Sequence, residues 1–377
     1  MDSRDIKIDN RQRIYRYIRK KKVATKKDIA TGLGLSLPTV TQNLKRFLEN
    51  GLISGEEKLE IKSDGRNPVA YRYLNEAKVA VGVSSTRNHI RLALVDIDGN
   101  IMASVEKKHV FERSGKYMKL LGRLVQDMVD AAGVDESKLL GVGIAVTGLV
   151  DEEAGKVIYG KIVDNEGLTR EDYSKYIPYP TKLIHDTNAY GFCEVWLSSD
   201  MGSITGLPDA FYVNISNSVG GAMLRGEGVF LGDGLYSGEI GHTTLVPGGL
   251  VCYCGHKGCA DPYCSVERLS SHTGGELDAF FERLAKGDKK MRKVWDEYLD
   301  YVAMLLCNVR MIWGGSVILG GYLRDYIDDY AEDLMDRIDR RNPFGEKASG
   351  YLYLSNNRKP VETGAALYYI KEFLDKI

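Results

Sequence analysis

Across 377 residues the chain has only six cysteines, six histidines, nine prolines and three tryptophans. Nor does it hold any apolar run near the ~20 residues that a membrane-spanning helix needs. The opening MDSRDIKIDN has no apolar core of the kind that marks a secretory signal. These absences predict a cytoplasmic protein with no membrane partner, in a compartment where disulfides rarely persist. Net charge is nearly missing too, at −1, but the balance is uneven. Residues 1–73 hold 17 Lys and Arg against 9 Asp and Glu, while the remainder holds 34 against 43. That asymmetry points to a basic module that meets nucleic acid, joined to an acidic body that does not. The length exceeds one ordinary hydrophobic core and implies two or three domains.

The basic segment reads as helices followed by a hairpin. NRQRIYRYIRKKK spaces Ile14, Tyr17 and Ile18 as a helix face. In TKKDIATGLGLS, Thr25 and Asp28 form a capping-box pattern, with Ala30 and Leu33 turned inward. Ser36 can cap the next helix, Pro38 suits its first turn, and Val40, Leu44, Phe47 and Leu48 make its apolar stripe. The opposite face offers Thr39, Thr41, Gln42, Asn43, Lys45 and Arg46, groups that bond base edges and phosphates in a major groove. GLISGEEKLEIKSDGRNPVAYRYL then alternates like a two-stranded wing, with Arg66 at its tip suited to a minor groove. Helix, short turn, polar-faced helix and wing together predict operator DNA as a partner.

From Val79 the texture changes. VAVGVSSTRNHIRLALVDIDGNIMASVEKKHV reads as three strands, with Asp98-Gly99 at one hairpin turn. A helix, a buried strand and a strand–helix unit (TKLIHDTNAY) follow. DAFYVNISNSVGGAMLRGEGVF reopens the hairpin theme, and VETGAALYYIKEFL closes the chain as a helix. Two α/β halves that each begin with hairpins imply a duplicated fold with a cleft between lobes.

Because cysteine is scarce, its one concentration is informative. GEIGHTTLVPGGLVCYCGHKGC, residues 238–259, gathers Glu239, His242, Cys252, Cys254 and Cys259. A redox pair, a disulfide staple, a catalytic thiol and a metal knot all fit such a cluster, and a reducing compartment favours the metal.

These residues resemble the ROK family (repressor, open reading frame, kinase), in its winged-helix repressor branch. GEIGH at 238–242 and CYCGHKGC at 252–259 match its signature, supported by GVGIAVTGLV at 141–150, HDTNA at 185–189 and LGG at 319–321. The resemblance spans nearly the whole chain. It implies an α/β architecture: a winged helix-turn-helix over 1–75, then a two-lobed, actin-like (ribonuclease-H-like) sugar-kinase domain. Lobe 1 would take 76–190, with the helix 361–377 returning to it, and lobe 2 would take 191–360. It also implies a structural zinc on His242, Cys252, Cys254 and Cys259, with Cys264 as an alternative to the histidine. Implied sugar contacts are Asp186, Glu239, His242, Asp261 and Asn165. Asp261 stands where the family has glutamate, and His185 where it has asparagine.

In the family's kinases Asp186 matches the catalytic base, but the phosphate loops depart from pattern. Ser84 takes the place of an aspartate, and Thr86, Arg87 and Asn88 fall where glycines and threonine belong. In SNSVGGA, Asn217 and Ser218 replace Thr-Gly. Side chains there obstruct the backbone amides that cradle phosphate. The expectation is therefore not an enzyme but a sugar-responsive repressor. It would bind an inverted-repeat operator as a homodimer or dimer of dimers and be released by a carbohydrate effector. The alternative is an ATP-dependent sugar kinase with an added DNA-binding head.

Overall fold

The computed structural model describes residues 3–58, 69–200, 209–226, 228–356 and 360–377. Its first helix, Ser3–Lys21, turns Ile14, Tyr15 and Ile18 fully inward. The Thr25–Asp28 capping box forms as expected, starting the helix Lys26–Leu33, which Gly34 ends at φ 65°. Ser36 caps the polar-faced helix Leu37–Glu49 by accepting from the Thr39 N–H at 3.3 Å. Val40, Leu44 and Phe47 are buried, but Leu48 is 40% exposed. One residue turns the helix by about 100°, which carries position 48 off the buried face. Three short strands complete the head: β1 (Val23–Thr25), β2 (Ile53–Lys58) and β3 (Val69–Tyr73), in the order β1-β3-β2. The expected β2–β3 wing is antiparallel, and β1 joins its other edge. Arg66, the expected wing tip, lies outside the described residues.

The body repeats one sheet plan. In the first lobe β4 (Val79–Ser85), β5 (His89–Asp96) and β6 (Ile101–Lys108) run antiparallel. Next come β7 (Leu139–Val146), a small ribbon of β8 (Leu149–Asp151) and β9 (Lys156–Tyr159), and β10 (Thr181–His185). β7 and β10 extend the sheet in parallel, giving the order β10-β7-β4-β5-β6. In the second lobe β11 (Asp209–Ile215), β12 (Val219–Arg225) and β13 (Gly228–Phe230) are antiparallel. β14 (Ser316–Gly320) and β15 (Leu352–Leu354) then add in parallel, giving β13-β12-β11-β14-β15. Three antiparallel strands followed by two parallel ones, twice over, is the duplication that the hairpin pattern implied.

The helix Asp186–Asp200 crosses between the lobes, packing on β12 and on the C-terminal helix Pro360–Lys376. That last helix returns to the first sheet, against β4 and β7. The approach is backbone to backbone. A Cβ at Gly82 would lie 1.7 Å from the Glu362 carbonyl oxygen, and one at Gly143 would lie 2.0 Å from that of Ala365.

Head and body share one apolar cluster, in which Ile14, Ile18 and Phe47 join Val95, Ile97, Phe192, Ile370 and Ile377. At its rim the Asp98 carboxylate accepts from Arg19 Nε (2.8 Å), Lys22 Nζ (2.6 Å) and the Tyr73 hydroxyl (2.9 Å). The Arg19 guanidinium also stands 5.3 Å from the Trp196 ring centre. Burial alone would raise the Asp98 carboxyl, but the hydrogen bonds from Lys22, Arg19 and Tyr73 outweigh it and hold it below the usual carboxylate range. A carboxylate depressed in the folded state stabilises above its unfolded pKa, and that contribution disappears as pH falls through the folded value. In urea titrations at pH 7, Asp98→Asn is expected to cost about 1.5–3 kcal/mol, the worth of a hydrogen bond to a charged group. The gap between mutant and wild type should close as pH drops below about 4.

Candidate functional site

Asp186 is the first residue of the crossing helix, directly after β10, where free helix N–H groups favour an anion. One carboxylate oxygen accepts from the Thr147 hydroxyl (3.1 Å) and the other from the Thr187 N–H (2.7 Å). His185 Nε2 lies 3.4 Å from that second oxygen. Glu239 faces the same cleft from the second lobe, at the start of the turn Ile240–His242. This turn lies directly on β12. Gly238 has φ 93°, and a Cβ there would stand 2.2 Å from the Gly221 carbonyl oxygen, so only glycine fits. Asp186, Glu239 and His242, with Thr147, Tyr159 and Tyr253, wall a cavity of about 40 Å³. That is room for a few waters.

The four residues expected to hold a metal converge. Ligand atoms of His242, Cys252, Cys254 and Cys259 all lie within 4.8 Å of one another. The loop is shaped for this: the Cys252 N–H donates to the His256 carbonyl, and the Gly255 N–H turns back to that of Cys252. Cys254 and Cys259 sulfurs are 3.8 Å apart, and His242 Nδ1 is 3.7 Å from the Cys252 sulfur. A tetrahedral ion with bonds of about 2.3 Å to sulfur needs sulfurs about 3.8 Å apart, so the donor set fits one. Burial pushes the Cys254 thiol up, but hydrogen bonds from His256, Cys252 and Cys259 outweigh it and bring it down to about 7. Cys264 is not part of the cluster. It is fully buried in the apolar core of the second lobe, beside Val266 and Tyr298.

His242 stands between the two expected sites, its Nδ1 3.7 Å from the Cys252 sulfur and its Nε2 3.0 Å from the Tyr253 hydroxyl at the cavity wall. Two expected sugar contacts do not reach that wall. Asp261 is 6% exposed, and its carboxylate accepts from the Val219 N–H at 2.7 Å, beneath the loop that lines the cavity. Burial pushes its carboxyl up to about 6. Asn165 is 1% exposed and donates to the Thr147 carbonyl at 3.0 Å, supporting the wall from behind. The sequence reading missed Thr147, Tyr159 and Tyr253. Tyr253, set between two cysteines, and Thr147, within GVGIAVTGLV, carried a local signal, and Tyr159 carried none.

At the first expected phosphate loop the turn is closed by its own side chains. The Thr86 hydroxyl donates to the His89 carbonyl (3.1 Å) and Arg87 to that of Ile162 (2.9 Å). Ser84, Arg91, Tyr190, Tyr322 and Arg324 wall a larger interlobe cavity, about 260 Å³. Its guanidiniums are engaged, Arg91 with Glu106 (3.1 Å) and Arg324 with Asp328 (2.8 Å). On the head, Thr41, Gln42 and Arg46 are exposed along the helix Leu37–Glu49. Thr39 and Asn43 are half-buried and bonded internally, Thr39 with the Ser36 hydroxyl (2.8 Å) and Asn43 to the Thr39 carbonyl (2.8 Å).

A winged head on a duplicated two-lobed body with a Cys₃His loop defines the class, and the chain belongs to the ROK family, which residues 80–341 match. Residues 9–54 match the winged helix-turn-helix DNA-binding family. The xylose repressor of Caldicellulosiruptor bescii is 23% identical over 268 residues, 71% of this chain. The match spans 66% of that repressor, just under two thirds of its length. The N-acetylmannosamine kinase of Escherichia fergusonii is 31% identical over 157 residues, 38% of this chain and 52% of the kinase. The crystal structure of a ROK family transcriptional regulator, a homologue of the Escherichia coli MLC protein, superposes with a TM-score of 0.77. That comparison covers 98% of this chain and 97% of the regulator, at 18% identity.

Cobalt(II) added to the reduced protein should give the intense near-ultraviolet bands of thiolate coordination. Cys254→Ser is expected to lose most of that absorption, and Cys264→Ser to keep it.

Proposed function

We propose that the chain is a sugar-responsive transcriptional repressor: the head holds an inverted-repeat operator, and a carbohydrate entering the Asp186–Glu239 cleft releases it. One observation carries this reading. The helix that begins at the cleft acid Asp186 ends beside the head, its Trp196 under the Arg19 guanidinium that Asp98 holds. The cleft has room for only a few waters between its walls, about 40 Å³, so a sugar entering it is expected to part them. Asp186 heads the helix that would then move. Two acids facing a cavity suit a polyhydroxylated ligand, because each hydroxyl finds an acceptor.

The soft Cys₃His donor set suits zinc in a closed structural site, where it would tie the Ile240–His242 turn to the 252–259 loop and do no chemistry. Two heads on a two-fold homodimer, or on a dimer of dimers, match half-sites on one face of the duplex. The kinase relative supports a second reading, in which Asp186 would accept the proton of a sugar hydroxyl as that oxygen attacks the γ-phosphate of ATP, with ADP leaving. The closed Thr86–His89 turn and the paired guanidiniums of the larger cavity weigh against it.

A panel of monosaccharides and their phosphates, headed by xylose and N-acetylmannosamine, should yield at least one that raises the melting temperature. That sugar should weaken operator binding by roughly 5–150-fold, a coupling of about 1–3 kcal/mol. Asp186→Ala is expected to bind operator normally and ignore the sugar. Trp196→Leu should bind both ligands, with the coupling reduced towards one. Sugar-dependent ATP consumption would establish the kinase instead.

A further inference from the structure

The start of the recognition helix exposes a leucine that the fold does not use. Leu37 is 55% exposed, and it is absent from the cluster against which its neighbours Leu33 and Leu35 pack. The local structural tasks are already met. Ser36 caps the helix, Pro38 occupies its first turn, and Leu35 and Val40 stand at the two positions of a hydrophobic staple. Leaving a leucine in water forgoes the stabilisation that burying it would bring. A single exposed leucine is ordinary on a protein surface. Leu48, at the far end of the same helix, is such a case at 40%. Position is what separates Leu37: the N-terminal residues of a recognition helix are the ones that contact base edges. Pro38 is exposed beside it, and Thr41, one turn further on the same face, presents a methyl group as well as a hydroxyl. The polar groups near this turn are turned to other work, Ser36 and Thr39 to each other and Asn43, one turn on, to the Thr39 carbonyl. Beyond the Thr41 hydroxyl, the exposed donors of the helix are Gln42, Lys45 and Arg46.

We infer that Leu37, with the Thr41 methyl behind it, reads the C5-methyl groups of thymines in the operator half-site. The major groove displays that methyl for T alone among the four bases, and apolar contact is the means of reading it. The leading turn of the helix thus selects thymine by burying hydrocarbon, and the following turn supplies the hydrogen bonds and phosphate contacts.

The inference rests on the head binding DNA, and the test separates the two. Full-length protein is first used to select sites from a random duplex pool. Each thymine of the selected site is then replaced in turn by deoxyuridine, which pairs identically but lacks the methyl. One or two positions per half-site should lose about four-fold in affinity for wild type, the factor for one CH₂-sized group withdrawn from water. In Leu37→Ala those same substitutions should cost nothing, while the salt dependence of binding stays as in wild type. Leu37→Met should restore the sensitivity. Circular dichroism confirms that the variants fold. If wild type is indifferent to every replacement, or Leu37→Ala keeps the same penalties, Leu37 does not read thymine. If the pool yields no selected site, DNA recognition by the head fails, and this role with it.

Discussion

Everything in this molecule is hung on a helix that has no room to move against its neighbours. The C-terminal helix Pro360–Lys376 meets the first sheet where Gly82 and Gly143 let its carbonyls touch the strands. On its other side Gly364 meets the crossing helix, where a Cβ would stand 1.8 Å from the Ala189 carbonyl oxygen. Further along, Ile370 and Ile377 enter the apolar cluster shared with the head. Interiors packed at this density do not deform smoothly; they shift as units. The sheet, the helix that starts at Asp186 and the head are therefore geometrically dependent on one another through a single element.

That dependence gives the placement of the cleft its meaning. Asp186 is three residues before Ala189, so its carboxylate and the glycine contact lie within one helical turn. The opposite cleft wall is fixed in a different way. Glu239 and His242 sit on a turn pressed against β12 by Gly238, and His242 also belongs to the Cys₃His cluster. One wall rides on a helix shared with the head, and the other is tied to the core of the second lobe. Separating them necessarily displaces the helix relative to the second lobe.

Much of this was legible before any coordinates, because it is local. Period-two runs marked β4 to β6 and β11 to β13, Thr25 and Asp28 announced a helix start, and the cysteine spacing gathered the metal cluster. What escaped was long-range. Asp98 read only as half of an Asp-Gly turn, since its partners Arg19, Lys22 and Tyr73 come from a different domain. Asp261 follows the signature closely enough to imply a ligand contact, yet its carboxylate is engaged by the backbone of β12. Asn43 lies on the polar face by periodicity, but its amide is satisfied by Thr39 one turn earlier. Sequence pattern assigns a face, whereas hydrogen-bond partners are decided by whatever the fold brings up to that face.

The helix that links cleft and head also sets the scale of any signal. Trp196 lies ten residues beyond Asp186, about 15 Å along the axis. Pivoting such a rod by some four degrees about its cleft end swings the other end by about 1 Å. The head meets that end through the Arg19 guanidinium over Trp196 and a common core, with no slack tether between them. The swing grows with distance from the pivot, as at the tip of a lever arm, and the helix Leu37–Glu49 feels more than the cleft does. Base-edge hydrogen bonds tolerate errors of only a few tenths of an ångström. On the proposed function, a sugar would disturb DNA reading by leaning only slightly on one carboxylate.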